Sequence, residues 1–118
     1  MMPRPIDYPM CCQTVTVYRR IDEEIVRVEI PDCYIQWQEE ETYDRIGRQV
    51  QRKFLLIQPG ESQQVYPGDR VMEGIGSEVT LVEWSAFTPE IVDGLGEVAY
   101  AKAYYWQGEF CHTEAGRK

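Results

Sequence analysis

One histidine, four cysteines and twenty carboxylates are the residues of this 118-residue chain that could carry acid-base, nucleophilic or metal chemistry. The histidine, His112, directly follows Cys111. A thiolate-imidazole dyad needs both side chains on one side of the backbone, whereas neighbours on a strand point to opposite faces. The pair therefore reads as a histidine at a surface or interface in the last strand. Cys11, Cys12, Cys33 and either Cys111 or His112 could in principle supply four ligands to a tetrahedral zinc. No two cysteines stand two residues apart, however, and adjacent cysteines seldom share one metal. No metal and no cofactor are expected, and most of the thiols are expected to pack as small hydrophobes.

Glu39, Glu40 and Glu41 form a charge run, which is the pattern of a solvated face rather than of a paired catalytic acid and base. Gly74 and Gly76 are not followed by Lys-Ser or Lys-Thr and open no helix, so no phosphate-cradling loop is present. Tyr104, Tyr105 and Trp106 could stack on bases, but no basic groove accompanies them. A core or subunit-contact role is the expectation for these aromatics. Nothing in the pattern points to an enzyme.

The elements that would hold these residues read mainly as β. Thr14 to Arg20 and Glu24 to Ile30 alternate, with Asp22-Glu23 between them, and predict a hairpin. Pro31-Asp32 punctuates the chain before a third strand over Cys33 to Gln38. Val50 to Ile57 ends in the apolar run Phe54-Leu55-Leu56-Ile57 and predicts a buried strand. Arg70 to Glu73 follows the turn Pro67-Gly68-Asp69, and Glu78 to Phe87 reads as a further strand. Thr88-Pro89-Glu90 matches an N-cap with proline at the first helical position, predicting one short helix near residues 88–95. Glu97 to Trp106 and Glu109 to Thr113 flank Gln107-Gly108 as a last hairpin.

The fold expected from this order is a single mainly β domain over residues 1–118, a small antiparallel β-barrel or sandwich with one short α-helix. Residues 1–10, with Pro3, Pro5 and Pro9 around Tyr8, read as an extended N-terminal arm. Residues 39–51 read as an exposed charged loop or arm. The expected core is Val15, Val17, Val26, Val28, Ile35, Trp37, Leu55, Ile57, Val71, Leu81 and Ala101.

Composition narrows the function classes. Twelve basic residues against twenty acidic ones give a net charge of -8, which argues against a phosphate-gripping surface. Hydrophobic content of 43% is too high for a disordered acidic chain. No apolar run suits a membrane helix, and the opening Met-Met-Pro-Arg-Pro-Ile-Asp lacks the apolar core of a signal peptide. The expectation is a cytoplasmic setting in which the thiols stay free.

Three stretches together resemble one family: Thr14-Val15-Thr16-Val17-Tyr18, the central Pro67-Gly68-Asp69-Arg70-Val71-Met72-Glu73-Gly74, and a short helix followed by a C-terminal hairpin ending His112-Thr113-Glu114-Ala115-Gly116-Arg117-Lys118. In this order the chain is similar to the small head-to-tail connector, or minor capsid, proteins of tailed phages and prophages of Gram-positive bacteria. The resemblance implies a structural virion protein: a head-closure subunit, stopper or adaptor, assembled in the host cytoplasm into a sixfold or twelvefold ring below the portal in the virion neck. Portal or adaptor and tail proteins are the implied partners, with genome DNA only passing through an acidic channel and no membrane involved. Tyr8, Glu39, Glu40, Glu41, Tyr43, Tyr104, Trp106 and His112 are the expected interface residues. A second class is a small β-barrel interaction or ligand-binding domain of a bacterial protein, with Tyr100, Tyr104 and Trp106 as its binding face.

Overall fold

Alternating β-branched residues and two tight turns set most of the register. The computed structural model describes residues 9–44, 47–89 and 91–117, with side chains described outside 39–52. Its elements are β1 (Gln13–Ile21), β2 (Glu24–Asp44), β3 (Gly47–Pro59), β4 (Arg70–Glu73), α1 (Leu81–Trp84), β5 (Leu95–Glu97), β6 (Tyr100–Trp106) and β7 (Glu109–Arg117). Asp22 adopts φ 55 in the β1–β2 turn, which an aspartate tolerates. Gln107 and Gly108, at φ 48 and 81, make the doubly positive turn that suits the twist of a hairpin.

All pairings are antiparallel, and the strand order β5-β4-β1-β2-β3-β7-β6 curls into a half-barrel. Two corners produce the curl. At the first, between the pairs Val15↔Ile30 and Gln13↔Cys33, β2 places two residues, Pro31 and Asp32, against the single Thr14 of β1, with Asp32 at φ 56. This bulge bends one long strand where the sequence predicted a break between two. At the second, β5 and β6 are the two ends of the strand order, yet only Val98 and Ala99 separate them in the chain. The two edges of the sheet must therefore meet there. The Val98 N–H donates to the Asp69 carbonyl and the Ala99 N–H to the Gly116 carbonyl, both at 2.8 Å.

The core inside the curl contains Val15, Val17, Ile30, Cys33, Ile35, Phe54, Leu56, Val65, Val71, Val98 and Ala115, with Trp37 and Ala101 packed against it. The alternation in β1, in β4 and around Ile35 thus identified the inward face. In β3 the parity is the reverse of the expected one: Phe54, Leu56 and Gln58 point inward, while Leu55 and Ile57 are only half-buried. An unbroken apolar run carries no parity signal, and here Gln58 decides it. Its amide donates to the Pro59 and Ser62 carbonyls and its Oε1 accepts from the Gln64 N–H, so the following loop folds around a buried polar side chain. Val26 and Val28, expected in the core, are exposed. They lie opposite Arg19 and Val17, where the half-barrel is open.

β1 is buried on both faces. Thr16 and Tyr18, opposite in parity to Val15 and Val17, are covered by the segment after β4. The Thr16 hydroxyl donates to the Gly74 carbonyl (2.7 Å) and accepts from the Gly76 N–H (2.9 Å). The Tyr18 hydroxyl donates to the Ser77 carbonyl (2.8 Å), and its ring meets Phe87 edge-on at 4.7 Å.

The helix lies earlier than expected. Residues 81–84, read as part of a strand, form α1, and the predicted helix near 88–95 is a single turn in which the amides of Ile91 and Val92 both reach the Thr88 carbonyl. Gly94, at φ 80, then turns the chain into β5 before a second turn forms. α1 is fixed by a capping box: the Thr80 side chain accepts from the Glu83 N–H, and the Glu83 carboxylate accepts from the Thr80 N–H. Arg70 closes its other end, stacking on Trp84 at 3.8 Å and donating to the Trp84 and Phe87 carbonyls. Leu81, expected in the core, stays exposed on this small helix.

The charged segment 39–51, expected as a loop or arm, is backbone-paired. β2 and β3 continue as a ladder from Gln38↔Lys53 to Asp44↔Gly47. β7 leaves β3 at Phe54↔Arg117 and β1 leaves β2 at Gln13↔Cys33, so among the described residues these seven pairs have no third strand. They form a ribbon roughly 20 Å long. Of the expected N-terminal arm, residues 1–8 lie outside the described residues, and Pro9 and Met10 are in a turn.

Candidate functional site

The expected interface residues fall into two places. Glu39, Glu40, Glu41 and Tyr43 lie on the β2 arm of the ribbon, in register with Arg52, Gln51, Val50 and Arg48. Tyr104, Trp106 and His112 lie together at the tip of the β6–β7 hairpin, while Tyr8 is outside the described residues. Tyr104 and His112 are cross-strand partners whose rings stack at 4.9 Å with an 18° interplanar angle. Tyr105 meets Phe110 edge-on at 5.9 Å. Trp106 is 54% and Tyr105 65% exposed, so the tip presents an aromatic surface to solvent.

These two places are at opposite ends of the molecule. β3 begins at Gly47, at the far end of the ribbon, and ends at Pro59, which pairs with His112, and from His112 β7 leads back to the Gln107-Gly108 turn. One hairpin thus leaves each end of β3.

Cys111 and His112 face opposite ways, as the strand alternation requires. Cys111 is 2% exposed, with its thiol donating to the Glu109 carbonyl, whereas His112 is half-buried on the other face. Burial lowers the His112 pKa below its ordinary value of 6.5, against a smaller opposing pull from Glu114. A histidine held neutral in the fold contributes stability that is fully present above its unfolded-state pKa and lost as the pH falls below it. The thermal midpoint is accordingly expected to fall between pH 7 and pH 5, and to fall less in a His112→Phe variant; equal slopes in a pH series of melts would contradict this.

Among the described residues no group of three or more His, Cys, Asp or Glu could hold a metal ion. Cys11, Cys33 and Cys111 are buried and Cys12 is exposed. Burial, with smaller contributions from Cys11 and Asp32, pushes the Cys33 thiol up to about 12. A thiol so far from ionisation is a poor nucleophile. A disulfide reagent should therefore find one fast thiol in the native chain, lost in Cys12→Ser, with the other three reacting only on unfolding.

The side-chain cluster that sequence reasoning missed lies beside β1. Arg19 Nε and Nη2 donate to both carboxylate oxygens of the buried Asp69 at 2.8 and 2.7 Å, and the guanidinium lies over the Tyr66 ring at 4.6 Å. Asp69 also accepts from the Tyr66 N–H at 2.9 Å. An open cleft here is lined by Arg19, Arg20, Tyr66, Asp69, Arg70 and Trp84. Arg19, Asp69, Arg70 and Trp84 lock the 64–70 loop and α1 onto the sheet, so the cleft is a structural clasp. The Pro67-Gly68-Asp69 turn was visible in the sequence, but its partner Arg19 is 50 residues away.

The class these features define is a small antiparallel half-barrel with a hairpin projecting from each end and no assembled catalytic constellation among the described residues. No family model, no curated protein and no solved structure matches the chain.

Proposed function

We propose that this chain is a structural, non-enzymatic subunit of the neck of a tailed phage, a connector or head-closure protein that joins a ring below the portal and offers a docking surface to the tail. The β2–β3 ribbon is the observation that carries the reading. A two-stranded ribbon is marginally stable in water, and this one runs seven residue pairs beyond any third strand among the described residues. A neighbouring subunit would supply the missing support. The aromatic tip at the opposite end supplies a second contact surface, as a component held between two partners requires.

The net charge of -8 suits a ring through which DNA passes, because acidic walls repel phosphate and keep free subunits soluble. Sixfold or twelvefold symmetry and the portal and tail proteins as partners follow from the family resemblance. The test is a cryo-EM reconstruction of the particle made by the genome that encodes this chain. Ring density fitting the half-barrel between portal and tail is the expected result. A complete neck without this chain overturns the proposal, and a cellular form carrying a bound ligand supports the bacterial binding-domain reading instead.

A further inference from the structure

We infer that copies of this chain join edge to edge, the outer edge of β6 in one copy pairing antiparallel with the outer edge of the distal half of β2 in the next. The inference rests on the ring reading and names the surfaces that would make the ring. β2 from Tyr34 onward, β3, β7 and β6 form a four-stranded half of the sheet. Among the described residues no strand lies beside its first member past Cys33, nor beside Ala101–Trp106 on its last. The Ile35 N–H points out of the first edge, where Gln13 Oε1 accepts it at 3.1 Å. By the two-residue alternation of a ladder, the backbone groups of Trp37, Glu39, Glu41 and Tyr43 face the same way. Such a row is a template for an incoming strand. No proline protects β6, and its regular stretch runs from Ala101 to the register shift at Tyr104/Tyr105.

Strand direction makes the two edges complementary. Antiparallel neighbours alternate, so the first and fourth strands of a set of four run in opposite senses. Copies related by rotation about a common ring axis, to which all the strands are inclined alike, keep those senses. β6 of one copy therefore meets β2 of the next antiparallel, and the alternation continues without interruption around a closed, heterologous ring. The two free stretches are offset along the strands. Lys102 pairs through Glu114 with Ile57, whereas Glu40 pairs with Gln51, six residues away on β3. Six residues are about 20 Å, and four strands span about 19 Å, which corresponds to a strand tilt of about 45°, at the upper end of the range in closed barrels. Charge agrees with the pairing: the β2 side carries Glu39, Glu40, Glu41 and Asp44, and β6 carries Lys102 with no acidic residue.

Amide exchange and cross-linking on the full chain test this. In oligomers formed at high concentration, the amides of 101–104 and 37–43 are expected to exchange about tenfold or more slowly than in the dilute monomer. In a Cys12→Ser background, the pair Lys102→Cys and Glu40→Cys should be joined between copies by a short bis-maleimide. The pair Lys102→Cys and Glu61→Cys should not. Rings that form with neither protection nor linkage overturn edge pairing while leaving the ring reading intact. A chain that stays monomeric at every concentration also overturns edge pairing, and the particle reconstruction decides the ring reading separately.

Discussion

Replacing Gly116 with alanine is expected to cost about 3 kcal/mol or more and to lower the melting temperature by roughly 10 °C or more. Gly116 sits where three strands meet. It pairs with Leu55 on β3 and Tyr100 on β6, and its carbonyl accepts the Ala99 N–H at the corner that closes the curl. A Cβ there would press directly on the Phe54 carbonyl oxygen and come within 3.2 Å of the Tyr100 hydroxyl. The first of these is a backbone atom in a paired strand, so it cannot rotate away. Relief requires β3 and β7 to separate, and their contact places Phe54, Leu56 and Ala115 in the core. Gly74→Ala is the comparison: its added methyl meets nothing, and only the backbone strain at φ 83 remains, about 1 kcal/mol. Equal melting temperatures for the two variants would show that β3 and β7 yield more easily than this packing implies.

Excising the ribbon is expected to have the largest effect on assembly and little on folding. Gln38 and Lys53 are in register, so residues 39–52 can be replaced by an Asn-Gly turn between them. The core residues of β2 and β3, Ile30, Cys33, Ile35, Phe54 and Leu56, lie on the retained side of the cut, with Trp37 packed against the core. The shortened chain should therefore melt cooperatively within a few degrees of the parent. It should also fail to enter rings or particles, because its support for the neighbouring copy and most of the free β2 edge are gone. Light scattering and particle complementation measure the two halves of this expectation. Unimpaired assembly would remove the ribbon from the interface and with it the main support for the neck reading.

Local signals led directly to the β1–β2 and β6–β7 hairpins. Alternation gave the inward face of β1, and Gln107-Gly108 gave a turn with two positive φ angles. β4 was also readable, since a proline-glycine turn and two glycines bracket Arg70 to Glu73. The position of α1 had a sequence signal too, Thr80-Leu81-Val82-Glu83, which is a capping box. Apolar residues at 79, 81, 82 and 84 outweighed it, because a one-turn helix has no room for a 3.6-residue period. Other features depended on residues distant in the chain. The parity of β3 was set by Gln58 reaching its own following loop, and the openness that exposes Val26 and Val28 belongs to the whole sheet. The candidate interface was legible as composition, a charged run and an aromatic cluster. That they lie at opposite ends of one strand follows only from the strand order.

The placement of the two hairpins has a mechanical consequence. A pull applied at the ribbon and resisted at the aromatic tip runs lengthwise along β3 and passes into β7 through the six pairs Phe54↔Arg117 to Pro59↔His112. Loaded in that direction, the six pairs share the force at once as a shear joint, instead of opening one after another as a peeled edge would. At Val98 and Ala99 the two edges of the sheet are tied beside the same joint, the Ala99 N–H bonding the carbonyl of Gly116, a residue of the loaded pairs.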